Sequence, residues 1–185
     1  GEFISTKVVP ELDAFSFAKY ASVVGAGIAT GALATGVDVI AALRKATSDM
    51  DEAEVPMEQR HLFITPTLYG LVQDMDTNKS REVLARFASI TQVPQTRFYS
   101  AIELLDGKTL GEEKGGYKKA EAGVELNFEV IHKPATLQFT KHAVPKVISP
   151  ELNQDADAWK YGYRNYGLCD VYENKVAGIY VHKKA

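Results

Sequence analysis

The chain has 185 residues, 45% of them hydrophobic and 24% charged, a balance typical of a folded protein and not of a disordered one. The formal net charge is −3 and the basic residues are scattered, so the sequence lacks the basic stripe that indicates binding to nucleic-acid phosphates. The single cysteine, Cys169, excludes an internal disulfide, and no apolar run reaches the roughly 18 residues of a membrane span. We therefore expect no membrane partner and no sequence-specific nucleic-acid binding.

The beginning of the chain combines a short foreign-looking tripeptide with a helical pattern. Residues 1–3, Gly-Glu-Phe, resemble a cloning remnant ahead of the native sequence. Apolar residues then recur every three or four positions after Pro10, which predicts an amphipathic helix ending near Val23. The glycine-rich stretch at 25–36 lacks the lysine and the glycine spacing of a phosphate-binding loop, so we interpret it as a flexible connection.

Two helix starts are marked by polar caps. Thr35 and Asp38 have the spacing of a capping box, and the apolar residues that follow predict a helix reaching about Asp51. Further on, the short apolar run at 61–65 predicts a buried strand that leads directly into a helix beginning at Pro66.

The middle of the chain is ambiguous between strand and helix. Alternation over residues 83–90 is compatible with a strand, but a helix that starts at Ser80 is a close competitor, and Pro94 ends either element. Residues 106–123 contain five glycines and many Lys and Glu residues, which predicts an exposed hairpin or loop.

The last third of the chain predicts β-structure. Three segments rich in Val, Ile, Phe and Thr, at 124–132, 136–142 and 144–148, suggest an antiparallel sheet. In the first of them, alternation places Glu125, Asn127 and Glu129 on the face opposite Leu126, Phe128 and Val130. The aromatic-rich end predicts a long strand up to Tyr172 and a returning strand at 176–182.

No residue pattern in the chain indicates a catalytic, metal or cofactor site. His132 and His142 could meet across neighbouring strands and bind a metal, but they lack ligand spacing, and ordinary strand-end histidines explain them better. Cys169 lies in a predicted strand, where a free cysteine is usually a small buried hydrophobe. The acidic residues near Asp155 lack the spacing of a calcium loop. We therefore predict that the chain is not an enzyme.

One segment has the composition of a protein contact surface. Pro94, Arg97, Phe98 and Tyr99 combine a charged residue with two aromatics in a predicted loop, and arginine and aromatic residues are enriched at protein interfaces. We predict that these four residues contact neighbouring subunits. The alternative, an arginine that packs locally on its own aromatics, stays open.

Several stretches of the chain carry a family resemblance. They are VVPELDAF at 8–15, LFITPT at 62–67, VPQTRFY at 93–99, IHKP at 131–134, NQDADAW at 153–159, YRNYG at 163–167 and DVYENKVAGIY at 170–180. In these stretches the chain resembles the major capsid proteins of tailed bacteriophages that infect Gram-positive bacteria, which have the Hong Kong 97-type capsid fold. The block at the C-terminal end is the most specific.

The resemblance implies a mixed α/β fold with an axial lobe and part of a peripheral lobe. It assigns residues 4–35 to the end of the spine-helix and peripheral region, 36–150 to the axial domain, 151–173 to the return through the peripheral domain, and 174–185 to a final strand. It also implies that an N-terminal arm, an extended loop and most of the spine helix precede Ile4.

The resemblance further implies a structural role. The expected function is a subunit that assembles into the hexamers and pentamers of an icosahedral phage or prophage capsid around packaged DNA. The expected partners are other copies of the chain, a scaffolding protein, a portal and a maturation protease, and the expected location is the virion, assembled in the bacterial cytoplasm. The alternatives are an encapsulin-type shell protein and, from another class, a small metal-dependent enzyme that uses His132 and His142.

Overall fold

A computed structural model describes residues 2–185. The chain forms two compact units, one made of the residues up to Thr136 together with Val171–Ala185, and the other of Leu137–Asp170. We call the first the sheet unit and the second the ribbon. The two boundaries differ from those expected for the capsid lobes, and the assignment of lobes to residues stays a prediction.

The secondary structure alternates between helices and strands along most of the chain. The helices are α1 (Val9–Ala21, preceded by a π-helical stretch at Ile4–Val8), α2 (Gly36–Glu52), α3 (Pro66–Met75) and α4 (Asn78–Leu84). The strands are β1 (Gly27–Thr30), β2 (Arg60–Ile64), β3 (Ser89–Gln92), β4 (Ile102–Leu105), β5 (Gly116–Lys119), β6 (Leu126–His132), β7 (Thr136–Ile148), β8 (Lys160–Val171) and β9 (Ile179–Lys183). Short 3-10 helices lie at Gln95–Arg97, Lys133–Ala135, Pro150–Leu152 and Glu173–Gly178.

A five-stranded mixed sheet in the order β1-β9-β6-β2-β3 organises the sheet unit. β6 runs antiparallel to both its neighbours, whereas β1 and β3 pair in parallel with β9 and β2. All seven residues of β6 are buried, because both faces of the sheet are covered. One face packs against α2, α3 and α4 to form the main core, whose largest fully buried side chains include Leu43, Met50, Leu62, Ile64 and Phe128.

The predicted capping box is confirmed at the start of α2. The Asp38 amide donates to the Thr35 hydroxyl at 3.3 Å, and the Thr35 amide donates to the Asp38 carboxylate at 3.0 Å. The hydrogen bonds from Thr35 lower the pKa of Asp38, because they favour its charged form. The predicted strand before Pro66 and the helix that begins there are also confirmed.

The first residue of α2 is a glycine that permits close packing against α3. A Cβ at Gly36 would lie 2.4 Å from the Leu71 carbonyl oxygen and 2.7 Å from the sulfur of Met75.

We expect Gly36→Ala to destabilise the sheet unit by about 1–2 kcal/mol, because the backbone oxygen of Leu71 cannot move away unless α3 moves with it. Gly70→Ala, on α3 itself, is the control: nothing lies within 4 Å of its Cβ, so helix propensity should stabilise that variant slightly. Urea unfolding of both variants measures the difference, and equal effects would contradict this account of the packing.

Two expectations from the sequence need correction in the sheet unit, and a third is confirmed. The glycine-rich stretch at 25–36 is not only a connection, because β1 lies within it and pairs with β9. Residues 83–90 are not one strand: the competing helix is present as α4, and a strand begins only at Ser89. The exposed hairpin expected at 106–123 is confirmed, since β4 and β5 pair antiparallel around it.

The expected C-terminal sheet is also arranged differently. β6 does not pair with β7, because its two neighbours are β2 and β9. The two predicted segments on either side of Ala143 form a single strand, β7, which continues through Pro145. The returning strand after Tyr172 is present as β9, but it joins the central sheet and not the strand that precedes it.

The ribbon is a two-stranded sheet of β7 and β8. Gly167 lets the strands approach closely, because a Cβ there would lie 2.8 Å from the Phe139 carbonyl oxygen. The connection between the strands is held by polar contacts: Asn153 donates to the Ala158 carbonyl at 2.7 Å, and Lys160 forms an ion pair with Asp155.

Candidate functional site

The predicted contact segment lies beside helix α1. Its arginine reaches the helix, since Arg97 Nη1 donates to Asp13 Oδ2 at 3.1 Å. Both side chains are partly exposed, at 30% for Arg97 and 44% for Asp13. Pro94 is exposed and Tyr99 half-buried. The segment therefore presents a proline, part of an ion pair and part of an aromatic ring at the surface.

Phe98 has a different place from the other three residues. Its side chain is fully buried, and its ring meets that of Phe17 edge-on at a centroid distance of 5.0 Å. Phe17 in turn packs edge-on against Phe63 of β2 at 5.2 Å. Phe98 is thus a core residue that attaches the segment to α1 and the sheet, and the predicted subunit contact now depends on Pro94, Arg97 and Tyr99.

Backbone hydrogen bonds fix the segment on both sides. The Leu126 amide donates to the Phe98 carbonyl at 3.0 Å, and the Ser100 amide donates to the Val124 carbonyl at 2.9 Å. From the β4–β5 hairpin, the Tyr117 hydroxyl donates to the Thr96 carbonyl at 2.9 Å, and burial raises the pKa of that phenol. A segment held in this way is a rigid surface feature, which suits a contact site better than a mobile loop does.

The Arg97–Asp13 ion pair is expected to contribute little to the stability of the isolated chain. Partly exposed pairs are typically worth about 0.2–1 kcal/mol, because water screens the charges. We expect Arg97→Ala, Asp13→Ala and the double variant to give a coupling free energy in that range, measured by urea unfolding. A larger effect of Arg97→Ala on assembly than on unfolding would assign the residue to a subunit contact; an equal effect would remove that role.

The histidines considered as metal ligands are not on neighbouring strands. His132 ends β6, and His142 lies on β7, which pairs with β8 alone. Burial, together with the charge of Arg60, lowers the pKa of His132. Across residues 2–185, no cluster of three or more His, Cys, Asp or Glu side chains is placed to hold a metal ion. Over the same residues, no helix is long and apolar enough to cross a membrane.

Sequence reasoning missed a buried arginine at the start of β2. The Arg60 side chain is 1% exposed; its Nε donates to the Pro56 carbonyl at 3.0 Å and its Nη1 to the Thr47 carbonyl at 3.3 Å. Its Nη2 donates to the Val55 carbonyl and pairs with Asp51 at 2.7 Å. Arg60 therefore ties the end of α2 and the following loop to the sheet. Its position before an apolar run resembled the polar edge of a strand, so the sequence carried no signal of this burial.

A second missed residue is Glu129, in the middle of the central strand. Its side chain is 0% exposed, and among residues 2–185 neither carboxyl oxygen has a hydrogen-bond partner. The loss of hydration raises the pKa of the Glu129 carboxyl well above its usual range. Its cross-strand neighbours are Phe63 on β2 and Val181 on β9, so it lies in an apolar setting.

A third polar group is satisfied inside the same sheet. At the irregularity in β6, the Asn127 amide donates to the Gly31 carbonyl at 3.1 Å and lies 3.0 Å from His182 Nδ1. The His182 ring stacks on Phe128 at 5.0 Å, and burial lowers its pKa. Asn127 thus fastens the connection between β1 and α2 to the strand pair β6–β9.

Comparison with known proteins identifies the type of fold. No family model matches the chain, and no curated protein matches it. Solved structures do match, among them a chain from Mycobacterium phage Che8, with a TM-score of 0.59 and 11% identity, and a chain from the capsid structure of the cyanophage P-SCSP1u, with a TM-score of 0.60 and 17% identity. The chain has a phage capsid protein fold.

The shared capsid fold extends over almost the whole chain. Each match covers 95% of this chain. The uncovered part is shorter than the ribbon, so residues of both units belong to the matched fold. The chain spans 58% and 61% of the length of the two phage chains. The mixed α/β class predicted from the sequence is confirmed by this likeness, which at such low identity concerns the fold alone.

Proposed function

We propose that the chain is a structural subunit of a tailed-phage or prophage capsid of the Hong Kong 97 type. The shared fold and the motif resemblance support this role, and no residue pattern in the sequence favours catalysis. The proposal includes a Gram-positive host, as the sequence resemblance implies, and a location in the virion after assembly in the host cytoplasm.

The observation that carries the proposal is the solvent exposure of apolar side chains on the ribbon. None of its residues, 137–170, is buried, and it exposes large apolar side chains. These are Phe139, Val144, Val147, Leu152, Trp159, Tyr161, Tyr166 and Leu168. An isolated two-stranded sheet is marginally stable in water, and an exposed apolar surface of this kind indicates a protein contact. The ribbon is therefore best explained as a contact surface that other copies of the chain cover.

Repetition of the same contacts would then build a closed particle. A symmetric shell uses each contact many times, so individually weak contacts suffice for a stable assembly. Within the proposal, the subunits form hexamers and pentamers, and a scaffolding protein, a portal and a maturation protease take part in assembly. The exposed part of the Arg97 segment supplies a second contact surface on the sheet unit.

The proposal is tested on the complete gene product, expressed alone and together with its neighbouring genes. Light scattering and negative-stain electron microscopy should show closed shells or capsomer rings. A protein that stays monomeric under every condition would overturn the capsid role, and a metal and activity screen would then test the enzyme alternative.

Substitutions on the ribbon sharpen the test. The double variant Tyr161→Ser/Tyr166→Ser removes two exposed rings, at 74% and 64% exposure, and should abolish shells while leaving the helical circular dichroism signal unchanged. The matched control is Met57→Ser, which alters a side chain that is 51% exposed on the sheet unit. If both variants assembled equally well, the ribbon would not be the assembly surface.

A further inference from the structure

We propose that Glu129 acts as a proton-dependent lock on helix α1, which stays seated on the sheet while the carboxyl is protonated and loosens when the carboxyl ionises. The proposal concerns the folded chain by itself and does not depend on the capsid role.

The first step is the position of Glu129 beneath α1. Glu129 shares a sheet face with its cross-strand neighbour Phe63, and the Phe17 ring of α1 packs edge-on against Phe63. The residues of α1 that are buried are mostly small, with Ala14 at 0% and Ala21 at 3% exposure. Small side chains let a helix lie close to a sheet, and this closeness leaves no access for water to the carboxyl.

The second step is the absence of any group that could hold the charge. Within the part of the chain that the structure describes, both Glu129 oxygens lack a partner, so an ionised carboxylate there would be neither hydrogen-bonded nor paired. On the sheet face shared by Glu129 and Phe63, strand alternation places His61 on β2 and Lys183 on β9. On α1, Tyr20 is buried and Asp13 pairs with Arg97. None of them donates to Glu129, and Arg97 and His61 already bind Asp13 and Ser89.

The third step is the coupling between the proton and the helix. A buried carboxyl without partners retains its proton, because an ionised form would lose its hydration without compensation. If α1 lifts, water reaches the carboxyl and the proton is released. Above the ordinary pKa of glutamate, 4.5, the open state therefore binds fewer protons than the closed state, and rising pH favours opening.

This coupling extends to the predicted contact segment. α1 carries Asp13 and Phe17, the partners of Arg97 and Phe98, so a loosened helix also frees the segment that those contacts hold. The state of one buried proton then controls how firmly Pro94, Arg97 and Tyr99 are presented at the surface.

Hydrogen exchange of the full chain followed by mass spectrometry tests the lock. After correction for intrinsic exchange, the opening constant of α1 peptides should rise by up to about tenfold per pH unit above the ordinary glutamate pKa, as expected for release of one proton. At every pH the opening constants of α1 and the adjoining segment should exceed those of α2, because α2 should open only when the whole sheet unit unfolds. Glu129→Gln, which cannot ionise, should lose this pH dependence, whereas the exposed-residue control Glu121→Gln should retain it.

Other outcomes overturn the proposal. Equal pH dependence in the wild type and in Glu129→Gln would show that another group is responsible. Opening constants that are equal for α1 and α2 at every pH would show that Glu129 affects only global stability. If the glutamine variant did not fold, the carbon-13 chemical shift of the Glu129 carboxyl in the wild type would decide, since a midpoint near 4.5 in the folded chain excludes the lock.

Discussion

Replacement of Arg60 by methionine is expected to destabilise the sheet unit by about 3–5 kcal/mol, the largest effect of any single substitution considered for this chain. Methionine fills much of the space of the arginine stem but donates no hydrogen bond. The carbonyls of Thr47, Val55 and Pro56 would lose their donor, and each poorly hydrated carbonyl costs about 1–3 kcal/mol when left unpaired. Asp51 is 38% exposed, so water and Arg86 can still compensate its charge.

Urea unfolding followed by the helical circular dichroism signal measures this effect. All four α-helices belong to the sheet unit, whereas the single tryptophan, Trp159, lies in the ribbon and would report on the wrong unit. Arg81→Met is the matched control, because Arg81 is 66% exposed and pairs with exposed Asp76; loss of this pair should cost less than about 1 kcal/mol. A similar cost for the two variants would show that burial of the Arg60 guanidinium group does not stabilise the fold.

Local signals in the sequence predicted the elements whose structure is decided locally. The capping box at Thr35 and Asp38 and the proline at position 66 set helix starts through contacts within a few residues, and both predictions were right. The order of the strands depends on contacts far apart in sequence. Nothing near Ile179 indicates that β9 inserts between β1 and β6, so the sequence predicts the returning strand but not its neighbours.

The same distinction between local and long-range contacts explains why the burial of Glu129 could not be predicted from the sequence. Alternation placed Glu129 on an outer face, which would be correct for a sheet with one face in water. β6 is instead central and covered on both sides, and only the packing of α1 shows this. The two segments expected at 136–142 and 144–148 form one strand for a related reason: a proline such as Pro145 interrupts an interior strand, but in a two-stranded ribbon each strand has a free edge that tolerates it.

The second large expected effect is a change in the free energy of unfolding with pH. Burial raises the pKa of Glu129 in the folded chain above its value of 4.5 in the unfolded chain. The unfolded state therefore binds fewer protons than the folded state above pH 4.5, and the free energy of unfolding falls with rising pH until the folded pKa is passed. We expect Glu129→Gln to be more stable than the wild type at about pH 8, by about 2–3 kcal/mol if the cost is that of a buried group without partners.

The difference between the two unfolding curves isolates Glu129 from the other titrating groups. Burial lowers the pKa of His132 and His182, so their stabilising contribution is complete above the ordinary value of 6.5 and is lost as pH falls toward their folded pKa values. This trend is opposite to that of Glu129, but it is the same in both proteins and cancels in the difference. The stability difference should be smallest near pH 4.5 and increase with pH. A difference that is constant over the whole range would mean that the glutamate titrates alike in both states, and that the fold tolerates a charge at the centre of its sheet.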